Sequence, residues 1–272
     1  MATLQLGHCN TRVYRTTDAG KPPIVFLHGW TGANYNWKDQ RSFFRASHNI
    51  ITLDFRGHGH SSKQHGLTLE MLAQDIQKLL IELNLRDVVM VGHSMGALVM
   101  FEYIKQFGQG LLSKICIIDQ SPRLLTDSEW KLGIYGNFDT ATNDRFTTGL
   151  QANFHSTMLS FDRNGLRDDL LQLAQSYQGP YFFPDWLIPD VMTDLWQSII
   201  NCDYREVLPL IDLPTLLAYG AHSQFYPNET AQYMQKTLKN SHLEVFLRSR
   251  HSPQMEEPEL FNQTLNSFLS SE

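Results

Sequence analysis

The stretch from Val88 to Leu98, V-V-M-V-G-H-S-M-G-A-L, constrains the fold more than any other part of the chain. Val88, Val89, Met90 and Val91 form an unbroken apolar run. It predicts a strand buried on both faces, because a half-exposed strand would alternate. Ala97 to Phe107 then reads as a helix, with Leu98, Phe101, Tyr103 and Ile104 as its apolar members. Between them, Gly92-His93-Ser94-Met95-Gly96 sets a serine on a strand-to-helix turn, with a glycine two residues to either side. Crowding explains the glycines. The turn strains the backbone at Ser94 and presses strand and helix together, so side chains at 92 and 96 would collide. Ser94 Oγ then projects beside the first helical N–H groups, the layout of a nucleophile elbow. The alternative is a chance Gly-x-Ser-x-Gly in a loop, and the flanking strand and helix argue against it.

The rest of the chain repeats that rhythm. Leu4 to His8 and Arg12 to Thr16 predict a hairpin turning at Cys9-Asn10, followed by buried strands at Ile24 to His28 and Ile50 to Asp54. A short helix is expected over Trp37 to Ala46. Thr68 to Asn84 is a clear amphipathic helix, with Leu69, Leu72, Ile76, Leu79, Leu80 and Leu83 at spacings of three and four, and Thr68 as its N-cap. After the elbow comes a strand at Lys114 to Asp119. Such alternation implies a parallel sheet with right-handed crossovers. It breaks at Gln120-Ser-Pro122. From there to about Arg205 no strand-like run occurs, but aromatics abound, including Trp130, Tyr135, Phe146, Phe154, Phe161, Tyr177, Tyr181, Phe182, Phe183, Trp186 and Trp196. Gly179-Pro180, Pro184 and Pro189 punctuate its second half. An insertion of this length between strands reads as a functional lid. Strands resume at Pro214 to Tyr219 and His242 to Leu247, with helices over Glu229 to Leu238 and Glu257 to Leu269. The expected organisation is a core over residues 1–121, a helical lid over 122–205 and the rest of the core over 206–272.

A serine hydroxyl needs a base. His251 stands just after the last strand and before the last helix, where a loop would bring it back to the elbow. His28 and His93 flank the turns, His58 and His60 sit in a glycine-rich loop, and His222 follows a strand end. Acyl transfer also needs donors aimed at the developing oxyanion. One is the backbone N–H of Met95, just after the serine; the other is that of Trp30, in the turn His28-Gly29-Trp30. The Trp30 side chain then walls the acyl site or joins the core. His28, His93, Trp130 and Trp186 are the residues expected to line the substrate pocket.

By these motifs the chain resembles the α/β-hydrolase superfamily over nearly its full length. His28-Gly-Trp30, Asp54-Phe-Arg-Gly-His-Gly-His-Ser61, Gly92-His-Ser-Met-Gly96 and His251-Ser-Pro-Gln-Met-Glu-Glu-Pro258 follow the family's order. With Trp37 and Gln40, they look most like the cofactor-free haloperoxidase, or perhydrolase, branch and its esterase neighbours. The resemblance implies an α/β fold with a mostly parallel, eight-stranded sheet, helices on both faces, a helical lid and Ser-Asp-His chemistry. One departure stands out. Where most of the family carries Gly-x-x-Asp, this chain has Gly220-Ala-His-Ser223. A neutral residue there can lower kcat by roughly 10⁴. Some relatives place the acid one strand earlier, where Asp119 stands. A carboxylate buried at a strand end needs a hydrogen-bonded partner, and His251 is the natural one. The alternative is that Asp119 caps the turn before Pro122. Glu229 and Asp212 lie too far from the expected position.

Composition narrows the functions further. A net charge of −6 without a basic cluster carries no footprint for nucleic acid. No apolar run approaches the roughly 18 residues of a transmembrane helix, and the first residues lack the layout of a signal peptide. Cys9, Cys116 and Cys202 form no C-x-x-C pair and fit free thiols in a reducing compartment. A cytoplasmic enzyme acting on a small molecule, with no cofactor and no metal, is expected; no oligomeric state is assigned. The leading reading is a serine hydrolase of a carboxylic ester, lactone or thioester. A second is a cofactor-free dioxygenase cleaving an N-heteroaromatic ring with a His-Asp dyad. A third is a ligand receptor on the same scaffold. Dehalogenase and epoxide hydrolase chemistry would need a carboxylate at Ser94.

Overall fold

The computed structural model describes residues 2–6, 9–16, 20–165 and 184–271. Eight strands form one sheet: β1 (Ala2–Leu6), β2 (Cys9–Arg15), β3 (Pro23–Leu27), β4 (Asn49–Leu53), β5 (Val88–His93), β6 (Leu112–Ile118), β7 (Thr215–Gly220) and β8 (Ser241–Phe246). Their order is β1-β2-β4-β3-β5-β6-β7-β8. β1 and β2 are antiparallel to their neighbours, and all other pairings are parallel. The expected turn at Cys9-Asn10 is corrected: Leu6 pairs with Cys9 and Gln5 with Asn10, so both residues belong to β2. Cys9 is buried, which offsets its nearness to turn-forming Asn10.

Burial on both faces explains the continuous apolar runs. Along β3, Val25 and Leu27 join one core and Ile24 and Phe26 the other, as the two-residue period of a strand requires. The first core is closed by α2 (Leu69–Glu82) and α3 (Met95–Phe107), and the second by α1 (Lys38–Phe44) and α8 (Pro258–Ser270). Trp37 is wholly buried in the second core, its ring centroid 5.0 Å from that of Phe26. At the start of α2, Thr68 Oγ1 accepts from Met71 N at 3.3 Å, the N-cap its sequence predicts.

Between β6 and β7 the chain leaves the sheet. Its described part holds α4 (Thr140–Gly165), which breaks helical geometry at Asn153, and α5 (Pro189–Ile200), with no further strand of the sheet. Arg123 and Asp203 form an isolated antiparallel bridge where the chain departs and returns. Tyr177, Gly179, Pro180, Tyr181, Phe182 and Phe183, expected in this lid, lie outside the described residues. α6 (Asn228–Thr237) follows β7 and α7 (Pro253–Glu256) follows β8 among the described residues. Among the described residues, no helix is long and apolar enough to cross a membrane.

Candidate active site

Ser94 occupies the turn between β5 and α3 with φ 51° and ψ −122°. Its neighbours show why the glycines are required. A Cβ on Gly96 would lie 2.2 Å from Leu27 O, and one on Gly92 would lie 2.7 Å from Gly96 C. Helix and strand thus touch backbone to backbone, and the serine is held by hydrogen bonds from Ser94 N to Ile118 O and from Ala97 N to Ser94 O, at 3.1 and 2.8 Å. Ser94 Oγ makes no hydrogen bond to another described residue. Thr31, Ser94 and Asp119 all adopt positive φ, at 61°, 51° and 44°. Strain of this kind persists only where the surroundings over-determine it, and here it gathers at the ends of β3, β5 and β6.

The turn after β3 packs directly on the elbow: a Cβ on Gly29 would lie 3.3 Å from Ser94 Cβ and 3.1 Å from His93 Nδ1. Gly32 N donates to Gly29 O at 3.1 Å, and Thr31 N to His58 Nε2 at 3.3 Å. Neither Trp30 N nor Met95 N donates to another described residue. His28 braces this turn from behind. Phe55 N donates to its Nε2 at 3.0 Å, which leaves Nδ1 to donate to Gly29 O at 2.7 Å. The ring is wholly buried with both nitrogens occupied, so the expected place of His28 in the substrate pocket is corrected to one beneath the turn.

Burial pushes His28 down to about 4. A folded-state value below the ordinary 6.5 means that the unfolded chain binds the proton more readily, so this stability is present above pH 6.5 and lost as pH falls toward 4. The loss amounts to about 3 kcal/mol. Chemical denaturation across that interval should show it, with a shallower fall for His28→Leu from a lower starting stability. Equal slopes in the two proteins would count against the buried neutral ring.

His251 and Asp119 meet beside His93. His251 Nδ1 donates to Asp119 Oδ2 at 2.5 Å, and the imidazole centroid lies 4.8 Å from that of His93, which precedes the serine. Asp119 is wholly buried at the end of β6, with its own N bonded to Ala218 O on β7 at 3.0 Å. Ser223 Oγ, standing where the family's aspartate is expected, donates to the same Oδ2 at 2.7 Å. Burial raises the proton affinity of Asp119 well above the usual carboxylate range, against the Ser223 hydroxyl and the Gly220 amide, which favour its ionised form. Burial also lowers His251, to about 3, which keeps the imidazole neutral and its Nε2 lone pair available.

The loop carrying His251 is pinned by two carboxylates. Glu256 accepts from Arg250 N and Ser252 N at 3.0 and 2.8 Å, and Glu257 from Arg248 N and Ser249 Oγ at 2.9 and 2.6 Å. Gln40 Nε2 donates to Gln254 O at 2.9 Å and ties the loop to α1. His93 Nε2 lies 3.0 Å from His251 O, so His93 supports the base through the backbone. On the opposite side, a Cβ on Gly220 would fall 1.7 Å from Arg250 O and 2.5 Å from Ser249 O. Gly220→Ala should therefore displace the His251 loop, lowering kcat by about 10² or more, since misplacement by about 1 Å has that effect. Steady-state kinetics and the melting temperature of the variant test this; wild-type kcat in Gly220→Ala would refute the close approach.

A family model for the alpha/beta hydrolase fold matches residues 22–258. The chain belongs to the α/β-hydrolase family. It is 28% identical over 266 residues to a pimeloyl-(acyl-carrier protein) methyl ester esterase of Vibrio vulnificus (strain CMCP6), covering 95% of this chain and 98% of that protein. To a non-heme chloroperoxidase of Kitasatospora aureofaciens it is 28% identical over 283 residues, with 96% and 98% covered. An esterase from Exiguobacterium antarcticum shares the fold with a TM-score of 0.85 at 24% identity, over 97% of this chain and 96% of that one. These relatives put it in the esterase and haloperoxidase branch of the α/β hydrolases.

In this hydrolase an aromatic chain links His251 to Trp30. Phe225 packs its ring on His251 at 4.5 Å between centroids, Phe161 on Phe225 at 4.6 Å, Trp196 on Phe161 at 5.8 Å and Trp30 on Trp196 at 4.8 Å. Trp30 Nε1 also donates to Met192 O on α5 at 3.2 Å, so the Trp30 side chain joins the turn after β3 to the helices between β6 and β7. Trp186 lies beside that turn, 6.0 Å from His58 between ring centroids and under Lys63 Nζ at 5.6 Å. Trp130 is elsewhere: buried, it packs on Tyr233 at 5.0 Å beneath Arg205, and its Nε1 donates to Arg123 O at 3.0 Å. Its expected place in the pocket is corrected accordingly. Sequence reasoning missed Phe225 and the Ser223 hydroxyl; the available signal was Ser223-Gln-Phe225 at the position of the missing acid.

Proposed function

We propose that this α/β hydrolase cleaves a carboxylic ester, or a lactone or thioester, of a small apolar substrate through a covalent acyl-enzyme. The observation that carries the reading is the His251–Asp119 contact beside a strained Ser94. Asp119 Oδ2 accepts the hydrogen bond of His251 Nδ1–H and keeps the proton on that nitrogen, so His251 Nε2 is free to take the proton of Ser94 Oγ as the Oγ–carbon bond forms. Apo hydrogen bonds of this kind commonly close only in the substrate complex. The carbonyl oxygen, now an anion, accepts from Trp30 N and Met95 N. On collapse the bond from carbon to the leaving oxygen breaks, and His251 returns its proton to that oxygen. Water then repeats the sequence on the acyl-serine and frees the acid and Ser94.

Residues 122–205 act as the lid in this reading. The rings of Phe161, Phe225, Trp196 and Trp30 favour an apolar acyl or alcohol group and exclude water while the acyl-enzyme lives. The esterases of Vibrio and Exiguobacterium support the choice of ester chemistry, whereas none of the relatives named above supports ring cleavage by dioxygen. Cys9, Cys116 and Cys202 are free thiols, which fits a cytoplasmic setting. Partition between water and methanol tests the mechanism. Esters with one acyl group and different leaving alcohols should give one ratio of acid to methyl ester, because they share an acyl-enzyme. A ratio that follows the leaving group would exclude that intermediate.

A further inference from the structure

We propose that Ser223 is a positioning residue for the acid of this site: its hydroxyl holds Asp119 Oδ2, the oxygen that receives the His251 Nδ1–H, and so fixes the carboxylate for the base. The proposal rests on the triad reading above.

The geometry gives the hydroxyl little choice. Ser223 closes a turn in which its N donates to Gly220 O at 3.1 Å, Ala221 N to Phe246 O at 2.9 Å and His222 N to Ser249 O at 3.0 Å. The turn is therefore fastened to the end of β8 and to the loop that carries His251. From there Ser223 Oγ reaches Oδ2 at 2.7 Å, while Asp119 Oδ1 has no hydrogen-bond donor among the described residues. The side-chain hydrogen bonds from Ser223 and His251 thus fall on one oxygen, the one facing the base.

A hydroxyl has a single proton to give, and a hydrogen bond to a carboxylate favours its charged form. Burial works the other way. A protonated Asp119 could not stabilise the imidazolium that forms when His251 takes the serine proton. An aspartate at 223 would meet Asp119 as a like charge, and two carboxylates so close would share a proton. Serine supplies a donor without a second charge. The position that looks vacated in the sequence is occupied, by a group that serves the relocated acid.

The test compares kcat/KM against pH for wild type, Ser223→Ala, Ser223→Thr and Ser223→Val, within the pH range where each keeps its circular dichroism spectrum. Loss of the hydroxyl in Ala and Val should lower kcat about tenfold and raise the acid limb by about one pH unit, with KM unchanged. Thr should restore both. Thr and Val differ in the hydroxyl at nearly equal shape, so the comparison holds even where Ala lowers stability. An unmoved acid limb in Ala and Val, or an equal shift in Thr and Val, overturns the proposal. Ser94→Ala, run in parallel, separates the two readings. If it retains turnover, the triad fails; if it loses turnover while the acid limb of Ser223→Val stays in place, only the role of Ser223 fails.

Discussion

Replacing Ser94 by alanine is expected to lower kcat for ester hydrolysis by about 10⁶-fold, with little change in the fold. The elbow is held by backbone contacts of Gly92 and Gly96 and by the hydrogen bonds of Ser94 N and O, none of which uses the side chain. Alanine keeps them all. What disappears is the Oγ that, in the proposed mechanism, bonds to the carbonyl carbon, and without it that mechanism leaves only attack by water. The proposed oxyanion donors, the Trp30 and Met95 amides, remain in this variant, so a small rate above the uncatalysed one should survive. Turnover of a purified variant with unchanged circular dichroism is the readout. A loss of less than about tenfold would remove Ser94 from the chemistry.

The second large effect is expected at Asp119. Asp119→Asn should lower kcat by about 10⁴ with KM nearly unchanged. The amide nitrogen of asparagine would face His251 Nδ1 as a donor, which favours the tautomer with its proton on Nε2 and leaves no lone pair for Ser94. A neutral side chain also cannot stabilise the imidazolium. Asp212→Asn and Glu229→Gln should leave kcat within about twofold, in keeping with the small effects usual for surface substitutions. Asp212 is an exposed partner of Lys239 at 3.6 Å, and Glu229 lies in the first turn of α6. Kinetics of the three variants on one ester distinguish these positions. A large loss in either control with Asp119→Asn active would relocate the acid.

Much of this was legible from local patterns. The elbow, the buried strands, the N-cap at Thr68 and the place of His251 after the last strand all follow from short-range rules of spacing and turn chemistry. The contact of Asp119 with His251 was legible by subtraction, because Ser223 stands where a carboxylate is expected. The remainder depends on contacts between distant parts of the chain. Two glutamates after His251 carry no local sign that they pin its loop, and His28 reads as a site residue until Phe55 N is seen donating to its ring. Trp130 and Trp186 are alike in the sequence. Only packing sends one to Tyr233 and the other to His58. Asn10 carries turn propensity, yet it pairs with Gln5 in the sheet beside a buried Cys9.

The most direct measurement is the site and rate of covalent labelling by a fluorophosphonate, followed by peptide mass spectrometry in wild type and Asp119→Asn. The account predicts one adduct, on Ser94, formed about 10⁴ times more slowly when Asp119 is asparagine, because the same base must activate the same hydroxyl. An adduct on another residue, or an equal labelling rate in the two proteins, would contradict it.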